Sequence, residues 1–179
     1  SAKSSAALEL DLIWHQDTAQ VNTITPTPMT ATLKFFQDWK KEGEPAYLLK
    51  RIEDSSEIVH GKKIAHRIRV LRQIVREDED GDIAAQSLRS FYEFLTLHPK
   101  VIYPEITLTP DGNIYAAWKN IDRSLFSIHF LDELRVRYVV FTQNIKHPHL
   151  MNRTSGTNSF DNVFEVVDRE YDVAKWIME

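Results

Sequence analysis

Apolar and polar residues alternate along residues 104–142, which is the pattern of β-strands that bury one face. The run 109–113, Thr-Pro-Asp-Gly-Asn, interrupts the alternation and is typical of a three-residue hairpin loop in which Gly112 adopts a positive φ. Two more loops, at 119–123 and 131–135, divide the remainder into strands. The pattern therefore predicts a four-stranded antiparallel meander.

The loops also determine the register of these strands. The expected pairs are Leu108 with Ile114, Ile106 with Ala116, Ala116 with Phe126, Ile114 with Ile128, Phe130 with Val136 and Ile128 with Tyr138. One face is then apolar or aromatic throughout and consists of Ile106, Leu108, Ile114, Ala116, Trp118, Phe126, Ile128, Phe130, Val136, Tyr138 and Val140. A one-residue shift would turn a strand's apolar residues to the opposite face, so the agreement of three hairpins supports the meander.

Helical periodicity dominates the chain on both sides of this sheet. The other predicted elements are an edge strand at 8–14, helices at 27–41, 45–52 and 62–77, a helix after Asp82 that buries Leu88, Phe91, Tyr92 and Leu95, a loop at 144–157 and a final helix. We therefore expect a single α+β domain over residues 1–179. Its mainly helical part, 1–100, packs on the meander at 104–142, and a C-terminal helix follows at 158–178.

Composition and charge narrow the possible functions. The chain contains no cysteine, which excludes disulfides, thiolate metal ligands and cysteine nucleophiles. It has no apolar run of 18 residues, so we expect a soluble, cytoplasmic protein that does not associate with membranes. Because its formal net charge is −4, binding to nucleic acid would require a local basic patch.

The sequence also lacks the common catalytic motifs. It has no Gly-x-Ser-x-Gly elbow, no His-Glu-x-x-His pair and no dinucleotide fingerprint, and its five glycines do not form a phosphate-binding loop. We therefore expect no cofactor and no complete catalytic set. This absence favours a binding protein over an enzyme.

The polar face of the predicted sheet carries the first candidate site. Its predicted rows are Thr109, Asn113, His129 and Arg137; then Thr107, Tyr115, Ser127 and Val139; then Glu105, Ala117, Leu125 and Phe141. His129 beside Arg137, with Asn113 and Tyr115 close by, is a candidate site for a phosphate or a carboxylate, because arginine is a forked donor. His129, Arg137 and Tyr115 are also candidate acid–base groups. The alternative is a solvated sheet face with ordinary polar pairs.

A basic arc follows the predicted helix at 62–77. It consists of Lys62, His66, Arg69, Arg72 and Arg76. Such an arc could track a phosphate backbone, and the alternative is a solvated face neutralised by the acidic run at 77–80. Arg67 falls among the apolar positions of this helix instead, so we expect it to need a partner.

The predicted loop at 144–157 carries two further candidates. His147-Pro148-His149 places two imidazoles close enough to share a metal, with Asp161 or Glu165 as a third ligand, and the alternative is a surface turn. Arg153, followed by serine and glycine before the final helix, could bind an anion on free backbone amides. The alternative there is an ordinary helix cap.

Residues 104–118 read Pro-Glu-Ile-Thr-Leu-Thr-Pro-Asp-Gly-Asn-Ile-Tyr-Ala-Ala-Trp. With the helix before them and two alternating strands after them, residues 78–140 resemble a widespread group of small uncharacterised bacterial proteins that share a Pro-x-Ile, Thr-Pro-Asp-Gly, Trp pattern. Many of those proteins have Trp-Asp-Gly before the helix, where this chain has Glu79-Asp80-Gly81. The resemblance implies a bacterial or phage origin and, by analogy, a mobile-element context such as a toxin–antitoxin or defence system.

Two functional hypotheses follow from these observations. The first is a non-catalytic interaction module that binds a protein partner, with a neutralising or regulatory role, and that is free to form a homo-oligomer. The second is a nucleic-acid-binding or RNA-processing protein that uses either the basic helix or the sheet-face residues His129, Arg137 and Tyr115. A hydrolase that uses the two histidines of the loop ranks third.

Overall fold

The computed structural model describes residues 43–78, 81–131 and 134–179. The chain divides into two units, residues 1–40 and 41–179, and every described residue belongs to the second. The predicted strand at 8–14 and the predicted helix at 27–41 lie outside the described residues.

The described chain is an α+β fold, as the sequence predicts. Residues 43–54 form helix α1. The elements that follow are α2 (Gly61–Asp78), α3 (Ala85–Leu97), β1 (Glu105–Leu108), β2 (Ile114–Lys119), β3 (Leu125–Phe130), β4 (Arg135–Gln143), β5 (Met151–Ser159), α4 (Val163–Tyr171) and α5 (Ala174–Ile177). The strands form one antiparallel sheet in the order β1-β2-β3-β4-β5, so the sheet has five strands rather than the predicted four. No described helix is both long and apolar enough to span a membrane.

Two of the three predicted hairpin registers are confirmed, and the one between β2 and β3 is wrong by two residues. Ala116 pairs with Ile128, not with Phe126. The loop between the strands has the predicted five residues but lies one position later, at 120–124: the Asn120 N–H donates to the Ser124 carbonyl at 2.8 Å, and Arg123 adopts a φ of 73°. Because the error is an even number of residues, every side chain stays on its predicted face.

Strand β5 is absent from the prediction, which treated residues 144–157 as a loop. Its sequence, Met-Asn-Arg-Thr-Ser-Gly-Thr-Asn-Ser, is polar on both faces and therefore shows no alternation. It is an edge strand, and its pairing with β4 runs from Arg135–Ser159 to Gln143–Met151. Gly156 lies under the ring of Tyr138, where an added Cβ would come within 2.7 Å of the Tyr138 hydroxyl oxygen.

The helices differ from the prediction in detail. In α3 the fully buried aromatic residues are Phe91 and Phe94, whereas Tyr92 is half-buried. The C-terminal helix begins at Val163 and is interrupted at Asp172, which adopts a left-handed conformation before α5. Both segments nevertheless pack against the core, since Val163, Val167, Val173 and Ile177 are all buried.

The hydrophobic core lies between the helices and the apolar face of the sheet. It joins Ile64 and Ile68 of α2 and Phe91 and Phe94 of α3 to strand residues such as Trp118. The Trp118 indole N–H donates to the Ile102 carbonyl at 2.8 Å, so this large ring is buried with its polar group satisfied. Burial of the apolar face is therefore the main stabilising interaction of the fold.

Ser87 of α3 connects the helix layer to the sheet. Its hydroxyl donates to the Phe130 carbonyl at 2.6 Å and accepts from the Ile114 N–H at 2.8 Å. Ile114 and Phe130 would be the next pair of the β2–β3 ladder after Tyr115 and His129. The hydroxyl thus replaces one ladder hydrogen bond and satisfies two buried backbone groups.

A charged cluster fixes α2 against the first hairpin. Arg72, which is buried, donates two hydrogen bonds to the Asp82 carboxylate, at 2.7 and 2.8 Å, and Arg76 adds a third at 2.9 Å. Gly112, with the predicted positive φ of 75°, packs on this segment, and an added Cβ would lie 2.7 Å from the Asp82 carbonyl oxygen. Arg67, which the sequence predicts to need a partner, donates from its Nε to the Ile106 carbonyl at 3.2 Å.

We predict that Asp82→Asn lowers the free energy of unfolding by about 2 kcal/mol, because it leaves the buried Arg72 without its charged acceptor. The two Arg72 hydrogen bonds lower the pKa of Asp82 from 3.8 to about 2. The stabilisation is therefore complete above pH 3.8 and is lost as the pH falls towards 2. Urea denaturation at pH 7 and at pH 2 measures both effects. Asp54→Asn, which removes an exposed carboxylate paired with Lys50, is the control and should have a much smaller effect at pH 7; equal losses for the two variants would contradict the prediction.

Candidate functional site

The face of the sheet opposite the core carries the candidate site, and we call it the polar face. None of its residues belongs to the hydrophobic core that the described helices share with the sheet. In the observed register its first row across the five strands is Thr107, Tyr115, His129, Arg137 and Thr157. The second row is Glu105, Ala117, Ser127, Val139 and Ser155, and the third is Lys119, Leu125, Phe141 and Arg153.

The observed register changes the neighbours of His129. Its predicted pairing with Arg137 is confirmed. Tyr115, which the prediction placed in the next row, is its direct partner on β2. Asn113 lies in the first hairpin loop instead, where its N–H donates to the Thr109 hydroxyl at 3.1 Å. The structure thus brings Tyr115, His129 and Arg137 into a single row.

His129 is electrostatically constrained by its position. Burial lowers its pKa, the neighbouring Arg137 lowers it further, and Asp111 opposes the shift. Its Nε2 atom is buried and has no hydrogen-bond partner within the described part of the chain. The imidazole is therefore neutral at pH 7, and Arg137 is the cation of this pair.

Two exposed arginines of the polar face, Arg137 and Arg153, form no ion pair with an acidic side chain among the described residues. Arg137 lies in the first row on β4, and Arg153 lies in the third row on β5. The sequence placed Arg153 in a loop before a helix, so its position on a strand corrects that interpretation. Four residues of β5 separate their rows, which corresponds to about 14 Å along the strand.

The second row carries small side chains on β2 and β3, Ala117 and Ser127, and we call this row the trough of the polar face. Ala117 and Ser127 are buried at its floor, while the half-buried rings of Tyr115 and Phe141 rise on its two sides. A cavity of about 220 Å³ occupies the end of this trough at β1 and β2. The polar face thus combines a row that is small on β2 and β3 with aromatic and cationic groups in the rows on either side, and we call this arrangement the groove.

A search against family models finds no match to this chain. No curated protein and no solved structure matches it significantly either. The resemblance of residues 78–140 to small bacterial proteins consequently stays a prediction, and the function must be argued from the geometry.

The basic arc of α2 is largely neutralised. Arg69 donates to both oxygens of Glu53, at 3.1 and 2.7 Å, and Arg72 and Arg76 share Asp82. Of the five predicted groups, only Lys62 and His66 remain exposed without an ion pair in the described ranges. The arc therefore offers a polyanion fewer free charges than the sequence indicates.

The two histidines of the β4–β5 turn lie near each other. The rings of His147 and His149 are 6.1 Å apart, on a turn in which the Asn144 N–H donates to the Leu150 carbonyl at 3.0 Å. Across residues 43–78, 81–131 and 134–179, no group of three or more His, Asp or Glu side chains is placed to hold a metal. The motif therefore lies on a turn, and its metal-binding interpretation stays a prediction.

Phe141 and Lys119 were not singled out as site residues in the sequence. Both lie in the third row with Arg153, and that row depends on the β2–β3 register and on β5. In the sequence, the only signal for these residues was the aromatic side chain of Phe141 at a predicted polar-face position.

We predict that the pKa of His129 lies below its ordinary value of 6.5 and that Arg137→Met raises it part of the way back, because burial remains in the variant. NMR titration of the imidazole resonances measures both values. Because the unfolded state binds this proton more tightly, the contribution of His129 to stability is complete above pH 6.5 and is lost as the pH falls below that value. A pKa at or above 6.5 would contradict the prediction.

Proposed function

We propose that this protein is a non-catalytic binding module that holds a single-stranded nucleic acid along the groove of its polar face. The observation that carries the proposal is the combination of two unneutralised arginines, Arg137 and Arg153, with two half-buried rings, Tyr115 and Phe141, on one sheet surface. Proteins that bind single strands combine cationic grooves with aromatic platforms on which bases stack.

The charges account for contacts to the backbone of the strand. A guanidinium donates two parallel hydrogen bonds to a phosphate, which makes arginine the residue best suited to this contact. Because Arg137 and Arg153 have no acidic partner among the described residues, a phosphate does not have to displace a carboxylate from either of them. At about 14 Å apart they would contact different phosphates of the same strand.

The rings account for contacts to the bases. A single strand presents unstacked bases, and stacking on an aromatic side chain contributes about 1–3 kcal/mol per base. Tyr115 and Phe141 stand on opposite sides of the trough, and the buried Ala117 and Ser127 leave room between them. A paired duplex could not insert its bases there, so the groove favours a single strand.

The geometry favours binding over RNA cleavage. A general acid or base must reach the atom from which it moves a proton. The Nε2 atom of His129 is buried, and the lowered pKa of this residue keeps it neutral at pH 7. We therefore assign His129 and the Tyr115 hydroxyl to the wall of the groove rather than to a catalytic pair.

We predict that the double variant R137E/R153E binds a fluorescein-labelled decamer of uridine at least about tenfold more weakly than the wild type in 50 mM salt. A single strand releases about 0.7 counterions per phosphate contact, so the slope of log K against log salt should become shallower by about 1.4. Fluorescence anisotropy measures both quantities.

The matched control for this experiment is K100E/R169E, which reverses two exposed cations outside the groove and changes the net charge by the same amount. We expect it to bind within twofold of the wild type. If both double variants weakened oligonucleotide binding equally, the cause would be the net charge of the protein, and this result would contradict the assignment of the groove.

A protein partner is the second candidate, and two exposed isoleucines favour it. Ile121 in the β2–β3 loop and Ile145 in the β4–β5 loop are almost completely exposed. Both line a cavity of about 690 Å³ together with Trp176 and Tyr171. Clustered exposed apolar side chains of this kind are typical of protein-binding surfaces.

We predict that I121N/I145N abolishes co-purification with the product of the adjacent gene, if such a complex forms with the wild type, because it removes the apolar contacts at these tips. The control is V59N/L97N, which changes two exposed aliphatic residues of other elements and should leave the complex intact. Affinity purification after co-expression measures the complex. Retention by the tip variant, or no complex with the wild type, would contradict this candidate.

A further inference from the structure

The cavity at the β1–β2 end of the groove is built from few residues of distinct chemistry. Its lining consists of Glu105, Thr107, Tyr115, Ala117, Lys119 and Leu125. Its volume of about 220 Å³ is small. Ala117 is its buried base, and the Tyr115 ring and the Leu125 side chain provide apolar walls. A flat aromatic group fits this combination better than a sugar or a phosphate.

The charged groups of the cavity are a carboxylate and an ammonium side by side, and Thr107 and Tyr115 add hydroxyl groups. Lys119 Nζ donates to Glu105 Oε2 at 2.7 Å, and both side chains are more than 60% exposed, at 63% and 61%. An exposed pair of this kind contributes little to stability, so a ligand can insert between its members at small cost. Lys119 lowers the pKa of Glu105, which therefore stays ionised and presents two acceptor oxygens.

We propose that this cavity is a guanine-reading pocket, in which Glu105 accepts from the N1–H and N2–H groups of the base and Lys119 donates to its O6. Guanine is the only common base whose Watson–Crick edge places two donors next to each other beside an acceptor. Adenine would place its N1 acceptor against the carboxylate. Cytosine has one donor beside two acceptors and uracil has one donor between two acceptors, so neither pyrimidine offers two adjacent donors. Tyr115 supplies the stacking surface.

The pocket and the arginines occupy different ends of the groove. Glu105 and Lys119 belong to β1 and β2, whereas Arg137 and Arg153 belong to β4 and β5. A strand that contacts both ends must cross the sheet along the trough, over Ser127 and Val139. This inference rests on the proposed function, because the arginines hold the strand whose base the pocket reads.

The test compares decamers of uridine that carry a single central guanine, adenine or cytosine. The guanine oligonucleotide should bind the wild type about tenfold more tightly than the other two, which corresponds to 1.4 kcal/mol. Glu105→Gln should remove this preference, because the glutamine amide offers the base one acceptor and turns an N–H donor towards a donor of guanine; the preference is measured against the same variant's affinity for the plain uridine decamer. Glu165→Gln, which changes a glutamate in an exposed ion pair with Arg169, should keep the preference.

A second measurement separates failure of the pocket from failure of the proposed function. Guanosine monophosphate, titrated into protein with labelled methyl groups, should shift the resonances of Ala117 and Leu125, and adenosine monophosphate should not. Equal affinity for all oligonucleotides would overturn the pocket and leave the groove standing. Selective methyl shifts without binding of any oligonucleotide would support the pocket and overturn the groove. Absence of both the shifts and the preference would overturn the pocket.

Discussion

The alternation of apolar and polar residues along the strands is the constraint on which the rest of the molecule depends. Successive side chains of a strand point to opposite faces, so burying Ala116 and Ile128 against the helices places Tyr115 and His129 on the reverse. The core thereby determines which residues can form the groove. Exposed groove residues such as Glu105, Lys119 and Arg153 take no part in that core, so they can change chemistry with little loss of stability.

The faces of β1 to β4 could be predicted from the sequence, but the neighbours within the polar face could not. Which face a residue occupies follows from the period of two, which is insensitive to an error of two residues. The β2–β3 register depends instead on the loop at Arg123, which adopts a positive φ that residues other than glycine rarely take. That one backbone conformation decides whether Asn113 or Tyr115 stands beside His129.

The other errors arise where tertiary partners override local pattern. Strand β5 is polar on both faces, and its place at the edge of the sheet follows from pairing with β4 rather than from burial. On α2, hydrophobic periodicity places Arg72 on the exposed basic arc. Arg72 is buried nonetheless, because Asp82 supplies two hydrogen bonds from a segment ten residues away. Neither partner is visible in the local sequence pattern.

The distribution of charge decides how the groove can bind a polyanion. The whole chain carries a net charge of −4, and the arginines of α2 are paired with Glu53 and Asp82, so the proposed function assigns the attraction for a nucleic acid to Arg137 and Arg153 of the polar face. At physiological salt the Debye length is about 8 Å, which is shorter than the distance of about 14 Å between Arg137 and Arg153. The two arginines therefore act as separate contacts and not as one extended field. Charge alone would give weak binding with a shallow salt dependence, so in the proposed binding mode most of the affinity would come from bases that stack on Tyr115 and Phe141.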